Sequence, residues 1–254
     1  MNHHPTIAIV GLGNVGWNLA RGLHACDYRV EQIVSRDPSK DRVFLDSIGA
    51  VGIPSMDLLD RKVDLIFMCT PDDTTETLTS GLNHSATLVH CSGSVPVLRD
   101  TNSGVFYAFQ TFTKHVEVEW EGIPIFIETE HPEVYQLLER IGKKLSGNVR
   151  QVNEMQRKHI HISGVFGANF VNHILYQAKR VLDRSDLPFE VLEPLLHEVI
   201  RKAFTHGPMA SQTGPARRGD VQLMEKHLEA LESDQDLHEL YACLSEGIQS
   251  IYRS

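Results

Sequence analysis

A chain of 254 residues, 41% of them hydrophobic, can bury roughly 70–75% of the surface its unfolded form exposes, enough for one large core or two smaller ones. A formal charge of −9 argues against a nucleic-acid footprint, which is ordinarily basic, and there is no run of about 20 apolar residues to cross a membrane. The opening Met-Asn-His-His-Pro lacks the basic and apolar regions of a secretory leader, and four cysteines without C-x-x-C spacing suit a reducing cytoplasm.

The first element in chain order carries the strongest signal. Ile7–Val10 is a β-branched apolar run, and it meets glycines spaced G-x-G-x-x-G at Gly11, Gly13 and Gly16, followed by a helix-like stretch over Asn14–His24. Each glycine has a job. Gly11 turns the chain out of the strand, Gly13 admits a pyrophosphate close to the backbone, and Gly16 packs the helix on the strand. The helix start, Asn14-Val15-Gly16, then offers free N–H groups and the positive end of its dipole to the anion. Tyr28–Ser35 reads as the second strand. About 20 residues past the glycines, an NAD-binding chain places a carboxylate on the ribose. Here Ser35-Arg36 stands at that point, followed by Asp37 and Lys40. A guanidinium and a hydroxyl suit a 2′-phosphate, so NADP is favoured. Asp37 keeps NAD open, and Arg36 also reads as an ordinary solvated loop charge.

Further strands are expected at Val63–Cys69, Thr87–Cys91, Gly104–Phe109, Ile123–Glu128 and Val149–Val152, with an amphipathic helix over His131–Ser146. The pattern then turns helical. One long helix is predicted over Glu154–Asp183, then helices over Pro188–Thr205, Asp220–Glu232 and Asp236–Tyr252. The predicted fold is an α/β Rossmann dinucleotide-binding domain at 1–152, followed by an all-helical substrate and dimerisation domain at 153–254.

Ligands in such sheets bind beyond the carboxyl ends of the strands. Thr70-Pro71-Asp72-Asp73 and His90-Cys91-Ser92-Gly93-Ser94 fall there. Thr70, Pro71 and Ser92 are the expected neighbours of the nicotinamide, while Asp72 or Asp73 reads more simply as a helix cap. Gln110 and Thr111 suit buried structural hydrogen bonds as well as substrate contacts. At about 100° per residue, Lys158, His161, Asn169 and Asn172 share an arc of about 80° on the long helix. The intervening Ser163-Gly-Val-Phe-Gly-Ala-Asn169 is small and apolar, which suggests burial with partners. A solvated polar face is the competing explanation. Gly164 and Gly167 invite another helix, as in a dimer, or the chain's own nucleotide domain. In Thr213-Gly-Pro-Ala-Arg-Arg-Gly-Asp220, Asp220 suits a helix cap, and Arg217 and Arg218 suit an anion clamp or plain exposure. The histidines form no ligand cluster, so no metal is assigned.

The glycine loop, Cys-Thr-Pro-Asp-Asp, His-Cys-Ser-Gly-Ser, Gln-Thr-Phe, His161 with Val-Phe-Gly-Ala-Asn-Phe, and Thr-Gly-Pro-x-x-Arg-Gly-Asp occur here in one order. Together they resemble the Rossmann-like oxidoreductases whose C-terminal half is domain-of-unknown-function family 2520. These are similar in turn to pyrroline-5-carboxylate reductase and the 6-phosphogluconate dehydrogenase-like superfamily. The resemblance implies NADP-type binding at Gly11, Gly13 and Gly16 and a helical domain that often pairs into dimers. The chain departs from it at Tyr107-Ala108-Phe109, where the resemblance leads one to expect His-Pro before Gln-Thr-Phe. A role for that histidine therefore does not carry over.

The expected activity is hydride transfer to or from a small C=O or C=N substrate with an anionic end, in a cytoplasmic homodimer using NADP. His161 is the candidate proton-transfer group, Asn169 orients the substrate and Arg218 holds its anionic end. A non-catalytic NAD(P) sensor or dimeric scaffold is the rival, because fold does not fix function.

Overall fold

The structure, a computed structural model, describes residues 4–79, 85–98 and 102–252. The first half alternates strands and helices: β1 (Ile7–Val10), α1 (Asn14–Ala25), β2 (Val30–Val34), α2 (Arg42–Ile48), β3 (Val51–Ile53), β4 (Leu65–Met68), α3 (Asp72–Thr79), β5 (Thr87–His90), β6 (Ser103–Ala108), β7 (Ile125–Glu128), α4 (Pro132–Leu145) and β8 (Val149–Gln151). The strands form one sheet in the order β3-β2-β1-β4-β5-β6-β7-β8. Among the described residues only the β6–β7 pair is antiparallel.

Burial on both faces explains the apolar runs of the central strands. Ile7, Ile9, Leu65 and Phe67 pack in one layer with α1 and α4, and Ala8, Val10, Ile66 and Met68 pack in the other. The register aligns the strand ends. Val10 lies opposite both Val34 and Met68, and Met68 lies opposite His90. Gly11, Ser35, Cys69 and Cys91, each one residue further on, therefore leave the sheet at neighbouring positions along one edge.

The chain divides into two compact units, one running through Asn169 and the other from Phe170 onward. Where one uninterrupted α-helix is predicted over Glu154–Asp183, the structure has α5 (Glu154–Gly164), a π-helical segment over Val165–Phe170, and α6 (Val171–Leu182). A π turn takes in an extra residue, so the 100° phase behind the shared face of Lys158, His161, Asn169 and Asn172 does not run through 165–170. Across that segment the spacing of Asn169 and Asn172 from Lys158 and His161 therefore departs from the one an unbroken α-helix gives. Asn153 and Gln156 close a capping box at the start of α5, each side chain meeting the other residue's backbone N–H at 2.9 Å.

The second unit contains α6, α7 (Glu193–His206), α8 (Pro208–Ser211), α9 (Pro215–Arg218), α10 (Val221–Leu231) and α11 (Gln235–Tyr252). Asp220 caps α10 by accepting from the Leu223 N–H at 3.2 Å, as its position predicts. Arg180 binds Asp234 at 2.7 Å, and Tyr241 meets His227 Nδ1 at 2.8 Å. Few of this unit's apolar side chains are buried: Ala216, Met224 and Leu237 are, whereas Phe204 is 90% exposed.

Candidate functional site

The glycine loop is shaped by what its glycines exclude. Gly11 sits at φ +96°, and a Cβ there would lie 2.6 Å from the Cys69 carbonyl oxygen. A Cβ on Gly16 would lie 1.9 Å from the Gly11 oxygen. Gly13 has open space where its Cβ would be, so a ligand can approach its backbone. No acidic residue lies in the first turn of α1 and no side chain caps it, which leaves the N–H groups of Asn14, Val15 and Gly16 for an anion. The Asn14 side chain points to other work, accepting from the Lys114 N–H at 3.0 Å.

Beside this loop lies a cleft of about 1520 Å³, lined among others by Gly11, Gly13, Ser35, Arg36, Thr70 and Pro71. The Ser35 hydroxyl is buried there without a hydrogen-bond partner among the described residues, an arrangement that costs roughly 1–3 kcal/mol unless a ligand satisfies it. Arg36, Lys40 and Arg61 also line the cleft. Arg36 and Arg61 have no carboxylate partner among the described residues. Asp37 is engaged: the Ser39 hydroxyl donates to it at 2.5 Å and Lys40 lies 3.3 Å away. The Ser39 hydrogen bond, then Lys40, hold its carboxyl below the usual range. Orphaned hydroxyl, open glycine and free cations fit a 2′-phosphorylated dinucleotide. Arg61 escapes sequence reading because it precedes β4 with no motif around it.

The second part of the site is the loop after β5. His90 is buried, and burial first, then Arg157, push its pKa down to about 4. Its Nδ1 accepts from the Ser92 N–H at 3.3 Å, so the ring proton belongs on Nε2, which donates to the Pro96 carbonyl at 3.1 Å. Ser92 Oγ accepts from the Ser94 and Val95 N–H groups at 3.0 and 3.1 Å. The Ser94 hydroxyl donates to Asp72. Asp72 is thus the first residue of α3 and a partner of this loop, rather than the simple cap its sequence position suggests. Cys69 and Cys91 face each other with their sulfurs 3.6 Å apart, both as free thiols. Contact with Cys91, then burial, raise the Cys69 pKa.

Arg157 fastens this loop from α5. It is fully buried, with Nε donating to Glu128 at 2.7 Å and its two terminal nitrogens donating to the Ser92 and Val95 carbonyls at 3.1 and 2.7 Å. One turn further along α5, His161 Nδ1 lies 3.1 Å from the Tyr107 hydroxyl. Gly93 makes this meeting possible, since a Cβ there would sit 2.5 Å from His161 Nδ1 and 2.9 Å from Tyr107 Cζ. Burial pushes the Tyr107 pKa up to about 12.

The remaining candidates differ in their own surroundings. Lys158 is exposed and paired with Glu154 at 2.6 Å. Asn169 is exposed, contrary to the burial its apolar neighbours suggest, and has no hydrogen-bond partner among the described residues. Gly164 receives the Phe109 ring, 2.5 Å from where its Cβ would be, rather than another helix, and Gly167 has nothing within 4 Å. Arg218 is exposed at the end of α9 in the second unit. Arg217 donates to the Gln212 carbonyl. Arg157 is marked in the sequence by nothing local, and Tyr107 only by standing in the segment where His-Pro is expected.

A family described as NADP oxidoreductase, coenzyme F420-dependent, matches residues 6–92, and a domain of unknown function, DUF2520, matches residues 123–248. No curated protein matches. A solved structure from Bacteroides fragilis, named as an NADP oxidoreductase, is 32% identical, covers 97% of this chain and 98% of its own, and has a TM-score of 0.89. An imine reductase from Myxococcus stipitatus in complex with NADP+ shares the fold at 14% identity, with a TM-score of 0.69 over 98% of this chain and 93% of that one. A reductive aminase from Aspergillus terreus with cyclohexanone and allyl amine shares it at 13%, with a TM-score of 0.71 over 99% and 94%. Among the described residues, no helix is long and apolar enough to cross a membrane. By its match over nearly the whole length to the Bacteroides fragilis protein, the chain belongs to the family of NADP-dependent oxidoreductases in which a Rossmann-like half is followed by a DUF2520 region.

Proposed function

We propose that this chain is a cytoplasmic, homodimeric NADP-dependent reductase acting on a small C=O or C=N substrate with an anionic end. The observation that carries the reading is the Tyr107–His161 pair beside Gly93, at the carboxyl edge of the sheet that also carries the dinucleotide cleft. The glycine loop and the N–H groups of Asn14, Val15 and Gly16 hold the pyrophosphate, and Ser35, Arg36 and Arg61 hold the 2′-phosphate. Thr70, Pro71 and Ser92 hold the nicotinamide end. The bound cofactor supplies the hydride, so the protein's own tasks are positioning and proton management. His161 is the source of the proton, since an imidazole can both take up and give up one. Asn169 orients the substrate, and Arg218 meets its anionic end by bidentate hydrogen bonding. Residues 153–254 form the substrate and dimerisation domain. The related imine reductase and reductive aminase make cyclic imines and ketone–amine pairs the first compounds to try.

The test is a fluorescence titration with NADPH, followed by a screen of keto acids, imino acids, cyclic imines and ketone–amine pairs for NADPH oxidation. Binding with oxidation by at least one class is expected. Tight binding without oxidation in any class would favour the sensor or scaffold.

A further inference from the structure

The site contains two groups able to move a proton, and their geometry gives them different jobs. Tyr107, at the end of β6, and His161, on α5, meet edge to face with ring centroids 6.0 Å apart. His161 turns Nδ1 toward the Ser92–Ser94 loop, where the phenol oxygen at 3.1 Å and the Gly93 backbone cover it. A substrate atom cannot reach Nδ1 without displacing the hydroxyl. The phenol oxygen, by contrast, has no second partner among the described residues, although a hydroxyl both donates and accepts.

The charged groups around the pair are already committed. Arg157 on α5 is consumed by Glu128 of β7 and two loop carbonyls, Asp72 of α3 takes the Ser94 hydroxyl, and Lys158 on α5 is paired with Glu154. The loop facing the pair, Ser92-Gly93-Ser94-Val95, contributes nothing titratable.

We propose that Tyr107 hands the proton to the substrate's reduced nitrogen or oxygen, and that His161 acts through it, replenishing the phenol from Nδ1. The proposal rests on the reductase function above. NADPH supplies two electrons and one hydrogen to the carbon of the C=N or C=O group. As the Tyr107 O–H bond breaks, an N–H or O–H bond forms on the substrate. The Nδ1–H bond of protonated His161 breaks in turn, and the Tyr107 O–H bond is restored. His161 ends neutral and regains its proton from solvent. Coupling the two transfers matters because a phenol held near pKa 12 is too weak an acid to leave a free phenolate at neutral pH. With protonated imidazole behind it, no phenolate forms.

The experiment uses full-length protein with NADPH and two probes, 1-pyrroline and cyclohexanone with allyl amine. Tyr107→Phe is expected to slow turnover about 10²- to 10⁴-fold, the range for general acid catalysis, with NADPH affinity within about three-fold of wild type. His161→Asn is expected to keep a residual rate from the phenol and to give a pH profile different from wild type. Independently of turnover, the His161 ring signals, followed by NMR at one pH, should move in Tyr107→Phe, because the hydroxyl on Nδ1 is gone. Should that variant fold poorly, difluorotyrosine at position 107 keeps ring and hydroxyl and should move the alkaline limb of the pH profile downward. Turnover within three-fold of wild type in Tyr107→Phe, with His161→Asn still slow, assigns direct transfer to His161 and overturns the proposal. Unmoved His161 ring signals overturn it too. If wild type oxidises NADPH with neither probe nor any compound of the screen, the reductase function itself fails and this proposal falls with it.

Discussion

At the scale of single residues, the buried polar groups set the energetics. His90 is 1% exposed and kept neutral, its pKa lowered from 6.5 to about 4. A group whose folded pKa is depressed gives stability that is present above the unfolded value and is lost as pH falls through the folded one. The window is therefore about pH 6.5 to 4, and its size is on the order of 3 kcal/mol at 1.36 kcal/mol per unit. Urea unfolding at pH 7 and pH 4.5 should show wild type losing more stability than His90→Gln; equal losses would show that His90 is not the titrating group. Arg157 is a buried charge held by its partners. Replacing it by Met leaves the partly buried Glu128 without its partner and two loop carbonyls unpaired. A loss of about 3–5 kcal/mol is expected from denaturant midpoints. Arg36 belongs to binding rather than to stability. If it grips the 2′-phosphate, Arg36→Ala should lower NADPH affinity about 10- to 100-fold, the roughly 1.5–3 kcal/mol of a charge-assisted hydrogen bond. NADH affinity should hardly move. Equal affinity of wild type for NADPH and NADH would shift attention to Asp37.

At the scale of elements, the glycine loop separates folding from binding within four residues. Gly16→Ala forces a Cβ to within 1.9 Å of the Gly11 oxygen, so α1 must lift off the sheet, a cost on the order of 4 kcal/mol. Gly13→Ala meets nothing within 4 Å and sits at φ −82°, which alanine adopts readily. It should melt like wild type yet bind NADPH about 10-fold more weakly or worse, because its methyl occupies the space for the phosphate. Wild-type affinity in Gly13→Ala would remove the pyrophosphate from this loop. The same elements explain what the sequence could reveal. The strand, glycine triplet and helix of 7–25 are consecutive, and their chemistry is written in local spacing. So is the cap at Asp220. The Tyr107–His161 contact joins residues 54 positions apart, and Arg157 reaches Ser92 across 65. Such meetings depend on strand order, which no local pattern encodes. The π segment at Val165–Phe170 is hidden for another reason: its residues read as ordinary helix formers by apolar spacing, and that spacing assumes a constant 100° step.

At the scale of the whole molecule, apolar surface is the open account. The sheet's layers bury their hydrophobic side chains almost completely, whereas α7 leaves Leu195, Val199, Ile200 and Phe204 between 54% and 90% exposed. At about 100° per residue these four spread over about half of the helix's circumference, the broad apolar face of an element that expects a partner. Contiguous exposed patches of this kind mark interaction surfaces, and a second copy is the simplest partner because two-fold homodimers are the commonest assembly. Burying one phenylalanine side chain stabilises by roughly 1.5–3 kcal/mol. In a two-fold dimer each substitution acts twice. Phe204→Glu should therefore weaken association by a factor of a hundred or more, an estimate of about 3 kcal/mol or above. Light scattering should give wild type a mass twice 28.6 kDa at micromolar concentration and Phe204→Glu a mass falling toward the single-chain value on dilution. Circular dichroism should show the variant's helices retained, since Phe204 at 90% exposure contributes little to the fold of its own chain. Wild type with the single-chain mass under those conditions would mean that α7's apolar face does not serve self-association.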